Sequence, residues 1–375
     1  MYLVLIFIFF IIVQWLFCLN RIKIDLNRTR ENDTFTYVNI NKKWRKRFCI
    51  TVCTEMILFT GFRALDIGAD TSTYLNALEY YKSLPRNEII SAKLVYPFDF
   101  EVGYFLLTKI CAYLNFSSTA FLLLVSIIIY IPLFIFIGNY SIDPLISILA
   151  YFAFGLFTYS LGLFRQMMAL SICLCAIPFV KKRRIVKCLL IYLLAALFHL
   201  TALIMIPFYF LNLIDLKRHR LLFLISIFTI EVFSFIFARD IIIRIIHLIP
   251  NYAGYEGSAY DVEGGTYLGL IYLNTLLFFG VWRVLPFVRN EDALWIKGIA
   301  VACILQSCSY AMGIMGRLVC YYSVYSVILI PLIEKHLIKE LGIAKIIFTI
   351  LLLGLIIITM SRDTAVIQNY RFIWG

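Results

Sequence analysis

The chain has 375 residues, of which 62% are hydrophobic and 15% are charged, and its mean hydropathy is +0.91. One or two soluble domains cannot bury so much apolar surface, so the composition excludes an ordinary soluble protein. The apolar runs are continuous rather than alternating, and several approach the roughly 20 residues of a spanning helix, which argues against an outer-membrane barrel. We therefore predict an all-α, polytopic integral membrane helical bundle of about 11–13 transmembrane segments, some short or broken.

The formal net charge is +12, but its distribution is more informative than its total. Residues 21–47 hold nine Lys or Arg against three acids, and a second basic cluster, KKRR, occupies residues 181–184. Because basic residues collect in cytoplasmic connections, we place both segments in the cytoplasm and the N-terminus outside, and we expect no nucleic acid partner. The ten cysteines lie mostly in apolar runs without paired spacing, and they predict neither a disulfide nor a metal site.

Two helices are predicted before the first external segment. Residues 2–19 lack the basic start and small-residue cleavage site of a signal peptide, so we interpret this run as a retained first helix. Residues 48–60 form a second helix that runs outward, which places residues 61–100 in an external loop. In that loop the sequence DTSTYLNALEYYKSL predicts an amphipathic helix along the outer interface. Its N-cap would be Asp70, Thr71 or Ser72, and its apolar stripe would be Tyr74, Leu75, Leu78 and Tyr81.

The rest of the chain is predicted as further spans of one polytopic domain, residues 1–375, with a second external loop at 238–266. These spans lie near residues 102–116, 119–137, 145–163, 165–180, 188–198, 200–214, 221–237, 267–282, 294–312, 318–333 and 343–360. Three runs separate two external points, Phe100 and Arg165, where an even number of crossings is required. One of these runs must therefore be short, re-entrant or interfacial, and the sequence does not identify which. The apolar segment after KKRR is expected to turn near His199.

Several polar residues stand at the ends of apolar runs. Arg165 and Gln166, in GLFRQMMALSICL, have no acid nearby in the sequence and suggest an anion site, with a snorkelling interfacial arginine as the alternative. His199 could be a base or phosphate donor, or a structural donor. Arg317 and Tyr321 are predicted to share a helix face. This pattern suits a ligand contact, and it also suits an interfacial arginine beside an aromatic belt.

The external segments add carboxylates and tyrosines. Asp70 suits either a helix cap or a base and hydroxyl acceptor. Residues 251–267 mix tyrosines, glycines and acids, among them Tyr255 and Asp261, which suits sugar contact as well as an ordinary exposed loop. The chain has no DxD pair, metal-ligand spacing or glycine-rich phosphate loop, so we expect no nucleotide, metal or other cofactor.

Together these residues suggest a diphosphate site. Three arginines, Arg63, Arg165 and Arg317, and His199 are predicted at one membrane face near the carboxylate loop. The planar guanidinium suits phosphate oxygens. The diphosphate headgroup of a lipid donor, entering from the bilayer, would meet this set.

The same segments resemble a known family, the EpsG-type, Wzy-like polysaccharide polymerases of bacteria. GFRALDIGADTSTY is similar to the family's G-x-R-x(4)-G-x-D-x(3)-Y stretch, and FEVGYFLL follows it. LFRQMMALSI resembles its RQ-x-x-A helix, LFHLTALIMIP its F-H-x-(S/T)-A-L segment, and GRLVCYY a late motif. One departure is Leu200, where the family often has Ser or Pro after the histidine.

The resemblance implies a nucleotide-independent membrane glycosyltransferase that joins undecaprenyl-diphosphate-linked oligosaccharide repeat units at the outer face of the bacterial cytoplasmic membrane. Expected partners are that lipid-linked oligosaccharide and the bilayer, with a chain-length regulator and a flippase as further candidates. The product would be an exopolysaccharide, capsule or O antigen.

The resemblance also implies residue roles. The donor diphosphate would be held by Arg63, Arg165, Gln166 and Arg317. Asp70 or His199 would activate the acceptor hydroxyl, and the sequence leaves that choice open. Sugar or acceptor contacts are expected from Tyr74, Tyr321, Tyr255 and Asp261. The rival functions are a transporter or lipid-linked oligosaccharide flippase, a sugar-decorating membrane acyltransferase, and a scaffold within a synthesis complex.

Overall fold

A computed structural model describes residues 1–28, 34–92, 100–248, 256–257, 267–337, 342–362 and 366–374. Within these ranges the regular structure is helical, apart from one antiparallel β-bridge between Arg63 and Phe372, which confirms the all-α prediction. The chain forms two compact units. Unit 1 is Met1–Ile177, Leu189–Leu203 and Ile346–Gly375; unit 2 is Pro178–Cys188 and Ile204–Lys345. Two such units can belong to one domain, so the single-domain assignment stays a prediction.

The α-helices follow one another along the chain with short connections. They are α1 Tyr2–Arg28, α2 Thr34–Gly61, α3 Thr71–Ser83, α4 Arg86–Ile89, α5 Val102–Tyr113, α6 Ser118–Tyr140, α7 Pro144–Ala153, α8 Leu156–Gly162, α9 Phe164–Leu174, α10 Ile177–Lys181, α11 Ile185–Ala196, α12 Ile206–Leu211, α13 Arg220–His247, α14 Tyr267–Phe279, α15 Leu294–Ala311, α16 Gly316–Ser323, α17 Ser326–Leu337 and α18 Gly342–Arg362.

The described residues contain six helical stretches that are long and apolar enough to cross a membrane. These are Tyr2–Ile22, Ser118–Tyr140, Phe164–Lys181, Arg220–Ile245, Tyr267–Val284 and Asn290–Ala311. Two further helix pairs would each make one bent span: α7 with α8, bent by 64°, and α16 with α17, bent by 54°. Shorter apolar helices account for other predicted runs, as α5 and α11 do. The protein is a multi-pass membrane protein with short and broken segments, as predicted.

The structure shows which of the three apolar runs between residues 100 and 165 are too short or too bent to be an ordinary span. Of the three apolar runs there, α6 is a full 23-residue helix. By contrast α5 has only 12 residues, and α7 and α8 meet at the 64° bend after Gly155, which has φ +71°. The short or re-entrant segment is therefore α5 or the α7–α8 pair.

Helices α2 and α6 pack against each other in opposite directions. At one end Thr60 Oγ1 donates to Ser126 Oγ at 2.9 Å. At the other end Arg45 Nη2 donates to the carbonyl of Ser141 at 2.6 Å. The basic residues lie near the start of α2 and the loop follows its end at Gly61. The basic segment and this loop are therefore at opposite ends of the helix pair.

The amphipathic helix predicted from Asp70 onward is confirmed as α3. All four residues of its apolar stripe are buried, with exposed fractions of 7% or less. These residues are Tyr74, Leu75, Leu78 and Tyr81. Unit 1 therefore contains a helix that packs one face inward directly after the loop at 62–70.

The last described segment, residues 366–374, returns to that loop. Ala64 N donates to the Arg371 carbonyl at 2.9 Å, and Ile373 N donates to the Phe62 carbonyl at 3.0 Å. Arg371 also forms an ion pair with Asp66 at 2.6 Å. The loop and this tail thus lie at one end of unit 1, consistent with their predicted placement on one side of the membrane.

Unit 2 is built around α15, which is buried along most of its length. Lys297 reaches from this helix to the carbonyls of Asn212 at 3.3 Å and Ile214 at 2.6 Å. Within the same unit Glu231 on α13 accepts a hydrogen bond from Asn274 on α14 at 3.0 Å. The side chains of Lys297 and Glu231 thus find partners inside the protein, as a hydrocarbon environment favours.

Candidate active site

The loop between α2 and α3 is fixed by a close backbone approach to the end of α8. Gly68 has φ +112°, and a Cβ there would lie 2.1 Å from the Leu161 carbonyl oxygen. A Cβ at Gly162 would lie 2.8 Å from Ala69 N. Both positions therefore need glycine. This contact sets the start of α9, and with it Arg165, against the loop.

Arg63 completes this contact from inside. Its exposed fraction is 1%, and its guanidinium donates to the carbonyls of Thr60, of Ile67 at 3.2 Å and of Leu161 at 2.9 Å. The guanidinium also lies over the Phe164 ring at 5.1 Å. In this geometry Arg63 binds the protein's own backbone, and a contact with donor diphosphate stays an untested prediction.

A second contact within unit 1 joins the start of α5 to the turn after α11. Gly103 N donates to the Leu197 carbonyl at 2.7 Å, which supplies a partner for one of the open N–H groups at the helix start. In return Glu101 Oε1 accepts a hydrogen bond from Leu200 N at 3.2 Å. His199 lies at this turn, where the sequence predicted it, and the reciprocal bonds hold it beside Glu101.

Glu101, Arg165 and His199 form the cluster that we call the rim triad. Arg165 Nη1 pairs with Glu101 Oε2 at 2.5 Å. His199 Nδ1 lies 2.7 Å from Glu101 Oε1. The three side chains are 20–23% exposed, so the triad is mostly enclosed yet reachable from outside the protein. One carboxylate therefore orients both a cation and an imidazole.

Aromatic rings frame Arg165. Its guanidinium lies 4.9 Å from the Phe100 ring and 5.8 Å from the Tyr74 ring. Tyr74 in turn stacks on Phe164 at 4.8 Å. Cation–π contacts of this kind hold a guanidinium without using its hydrogen-bond donors. Tyr74, predicted as a sugar contact, is 3% exposed and belongs to this frame.

The electrostatics of the rim triad define the direction of the hydrogen bond at the imidazole. Burial alone would raise the pKa of Glu101, but the hydrogen bond from His199 and the charge of Arg165 outweigh it and lower that pKa from 4.5 to about 2. An ionised carboxylate only accepts hydrogen bonds, so Nδ1 of His199 is the donor and a neutral ring carries its lone pair on Nε2. This arrangement suits a general base oriented by a carboxylate.

Asp70 lies close to the aromatic frame. It occupies the N-cap position of α3, but its side chain makes no capping hydrogen bond. Burial raises the pKa of the Tyr74 phenol, the charge of Asp70 adds to this rise, and Arg165 opposes it. The half-buried Asp70 carboxylate is therefore within electrostatic reach of Tyr74, which leaves its predicted role as acceptor or base open.

The structure describes three further predicted site residues. Gln166 is 4% exposed, next to Arg165 on α9. Arg317 and Tyr321 belong to unit 2, on α16, where Arg317 is half-buried and Tyr321 is 1% exposed. Tyr255 and Asp261 fall outside the described residues. The predicted roles of these residues stay predictions.

Glu101 is the site residue that sequence reasoning missed. No acid lies near Arg165 in the sequence, but in the structure Glu101 pairs with it from 64 positions earlier in the chain. A signal did exist: Glu101 stands directly before an apolar run, in the FEVGYFLL segment that carries part of the family resemblance. A carboxylate at the end of an apolar run usually pairs with a cation or a hydrogen-bond donor.

The part of the chain that the structure describes lacks the ligand sets that metal ions need. No group of three or more His, Cys, Asp or Glu side chains lies there in a position to hold a metal ion. The chemistry available at the rim triad is that of an oriented base and an adjacent guanidinium.

Comparison with known proteins gives one match. No curated protein and no solved structure matches the chain. The family model described as the EpsG family matches residues 46–373, which include the whole rim triad and its aromatic frame. This match covers most of the 375 residues, so the chain belongs to the EpsG family and is a polysaccharide polymerase-like membrane protein.

Proposed function

We propose that the protein is a membrane glycosyltransferase that polymerises polysaccharide. It joins undecaprenyl-diphosphate-linked oligosaccharide repeat units at the outer face of the bacterial cytoplasmic membrane and uses no nucleotide. The observation that carries this proposal is the rim triad, where one ionised carboxylate orients an imidazole and a guanidinium in a partly exposed site. Family membership supports the polymerase class.

Arg165 is the donor-binding residue in this proposal. A guanidinium has five N–H donors, and the ion pair with Glu101 uses Nη1. The donors that Glu101 and the Tyr74 hydroxyl leave open suit the oxygens of a diphosphate, whose negative charge grows as the glycosidic bond to it breaks. Arg165 thus stabilises the leaving group, and the rings of Tyr74 and Phe100 hold it in place.

His199 is the base in this proposal. Its Nε2 takes the proton from an acceptor hydroxyl at the non-reducing end of the next lipid-linked unit. The hydroxyl oxygen bonds to the anomeric carbon of the growing chain, while the bond from that carbon to the diphosphate oxygen breaks. The electron pair of that bond leaves with the undecaprenyl diphosphate. Glu101 acts as a positioning residue, because it fixes the tautomer and direction of the imidazole.

Asp70 is the competing base, and variants distinguish the two candidates. If His199 is the base, Asp70→Asn retains measurable chain growth while His199→Ala loses it. The opposite pattern would transfer the role to Asp70 and leave His199 as a positioning residue.

The proposal is tested with purified protein in vesicles that contain an undecaprenyl-diphosphate-linked oligosaccharide and neither nucleotide nor acyl donor. The expected product is a ladder of longer lipid-linked chains. The ladder should disappear with His199→Ala and persist with His219→Ala, a matched change at an exposed histidine of unit 2. Transfer of the lipid across the bilayer without new glycosidic bonds would instead identify a flippase, and the polymerase proposal would then be wrong.

A further inference from the structure

A groove lies between α2 and α6, at the end of these helices that carries the basic segment. Its volume is about 830 Å³. Arg45 and Gly61 are separated on α2 by 16 residues, or roughly 24 Å at 1.5 Å per residue, which approaches the thickness of the hydrocarbon core. The groove therefore begins on the opposite side of unit 1 from the loop at 62–70.

The lining of the groove divides into two chemical parts. One end is basic and contains Lys42, Arg45 and Lys46. The rest of the wall is largely apolar and includes Ile50, Phe134 and Ile135. Lys42 and Lys46 are exposed, whereas Arg45 is half-buried and fixed by its hydrogen bond to the Ser141 carbonyl.

We propose that this groove binds an anionic phospholipid of the cytoplasmic leaflet. Its phosphate meets Arg45 and the two lysines, and its acyl chains lie along the apolar wall. Charge complementarity selects the anionic headgroup, because basic pockets between membrane helices on the cytoplasmic side attract such headgroups. A free phosphate would leave the apolar wall uncovered, whereas acyl chains cover it.

Gly138 keeps the groove open. It lines the groove on α6, and a Cβ built at this position meets no atom within 4 Å. A leucine at this position would therefore extend into the space for the acyl chains without a clash at its Cβ. Replacing glycine within a helix also improves helix propensity, so this variant is expected to fold.

The experiment measures lipid binding to the full-length protein by native mass spectrometry in a non-ionic detergent. The probes are phosphatidylglycerol, phosphatidylcholine with the same acyl chains, and glycerol 1-phosphate as the headgroup alone. We expect phosphatidylglycerol to bind at least about 10-fold more tightly than phosphatidylcholine, since each basic residue near an anionic headgroup contributes about 1 kcal/mol. Glycerol 1-phosphate should bind far more weakly than phosphatidylglycerol.

Two variants and one control locate the site. Neutralising two charges with Arg45→Gln and Lys46→Gln should weaken phosphatidylglycerol binding about 30-fold, at about 1 kcal/mol for each charge. Gly138→Leu should weaken it without changing charge. The control, Lys182→Gln with Arg184→Gln, removes the same charge from exposed positions in the KKRR cluster and should leave binding unchanged.

Each other outcome overturns the proposal. Equal binding of the two phospholipids would remove the headgroup selectivity. Unchanged phosphatidylglycerol binding by Gly138→Leu would place the lipid elsewhere. An equal loss in the control pair would show an effect of net charge, and binding of glycerol 1-phosphate as tight as that of phosphatidylglycerol would make this a phosphate site. The proposal does not depend on glycosyl transfer, so its test is independent of the polymerase assay.

Discussion

Two arginines at one end of unit 1 face different partners. Arg63 is 1% exposed and donates to three backbone carbonyls, which belong to Thr60, Ile67 and Leu161. The Arg165 side chain is 23% exposed and pairs with the Glu101 carboxylate. Both guanidiniums also lie against aromatic rings. Both arginines thus lie at the same end of unit 1 and against aromatic rings. They differ in the oxygen that they bind, because Arg63 binds backbone carbonyls and Arg165 binds a carboxylate.

This difference predicts a structural role for Arg63 and a substrate-binding role for Arg165. The hydrogen bonds from Arg63 to backbone carbonyls break only if the loop opens, and burying a guanidinium without such partners costs free energy. A side-chain ion pair that solvent reaches can exchange for another anion at much lower cost. We therefore predict that Arg63 stabilises the loop and that Arg165 binds the substrate.

The largest expected effect comes from the rim triad. His199→Ala should lower the rate of chain growth by about 10²–10⁴-fold, because a positioned general base contributes that much. The amount of folded, membrane-inserted protein should stay unchanged, since the side chain is partly exposed. Chain length in the vesicle assay is the measurement, with His219→Ala as the control. Equal rates for the two variants would remove the triad from the reaction.

The next largest effect tests the structural half of the comparison. Arg63→Met should lower the free energy of unfolding by about 2–4 kcal/mol, because several buried carbonyls lose their donors at once. Chain growth per folded molecule should stay near the wild-type rate. Thermal unfolding in detergent measures the first quantity. Arg371→Met, which breaks only an exposed ion pair, is the matched control and should cost at most about 1 kcal/mol. A normal unfolding temperature with lost activity would instead make Arg63 a substrate ligand.

A smaller effect is expected where the charge is kept and the shape is changed. Arg165→Lys should lower chain growth about 10-fold, because an ammonium cannot reproduce the planar fork of donors that suits a diphosphate. The exposed Arg218→Lys should have no effect. If Arg165→Lys retains full activity, the residue acts only through its charge.

The smallest effect concerns acid stability. The pKa of Glu101 is about 2 in the folded protein and 4.5 ordinarily, so its contribution is complete above about pH 4.5 and is lost as the pH falls towards 2. In that range the unfolding temperature of the wild type should therefore fall more steeply than that of Glu101→Gln. Parallel curves would mean that the carboxylate gains nothing from its two partners.

Local pattern was sufficient to predict much of this end of the molecule. The stripe from Tyr74 to Tyr81 predicted α3 because helical periodicity needs only neighbouring residues. The turn at His199 followed from the lengths of the apolar runs between basic clusters. Arg165 stood out because an arginine at the junction of two apolar runs is costly.

Long-range pairing was not predictable from those patterns. Glu101 lies 64 positions from Arg165 and 98 from His199, so no local spacing joins them. The resemblance assigns Arg63 to the donor diphosphate, and the local sequence gives no sign of its partner carbonyl at Leu161, which is 98 positions away. Hydrogen bonds to backbone carbonyls leave no trace in side-chain identity, and a structural arginine therefore has the same sequence signature as a ligand.

The contacts that residues 370–373 make with the loop at 62–70 form late during biosynthesis. Arg371 follows Asp66 by 305 positions, which corresponds to roughly 15–60 s of translation at 5–20 residues per second. Until then the loop beside the rim triad lacks its tail contacts, even though most spans have already emerged from the ribosome. A chain whose synthesis stops before residue 370 would insert into the membrane with this loop unsecured. The loop beside the candidate active site is thus held by its tail contacts only after residues 370–373 have been synthesised.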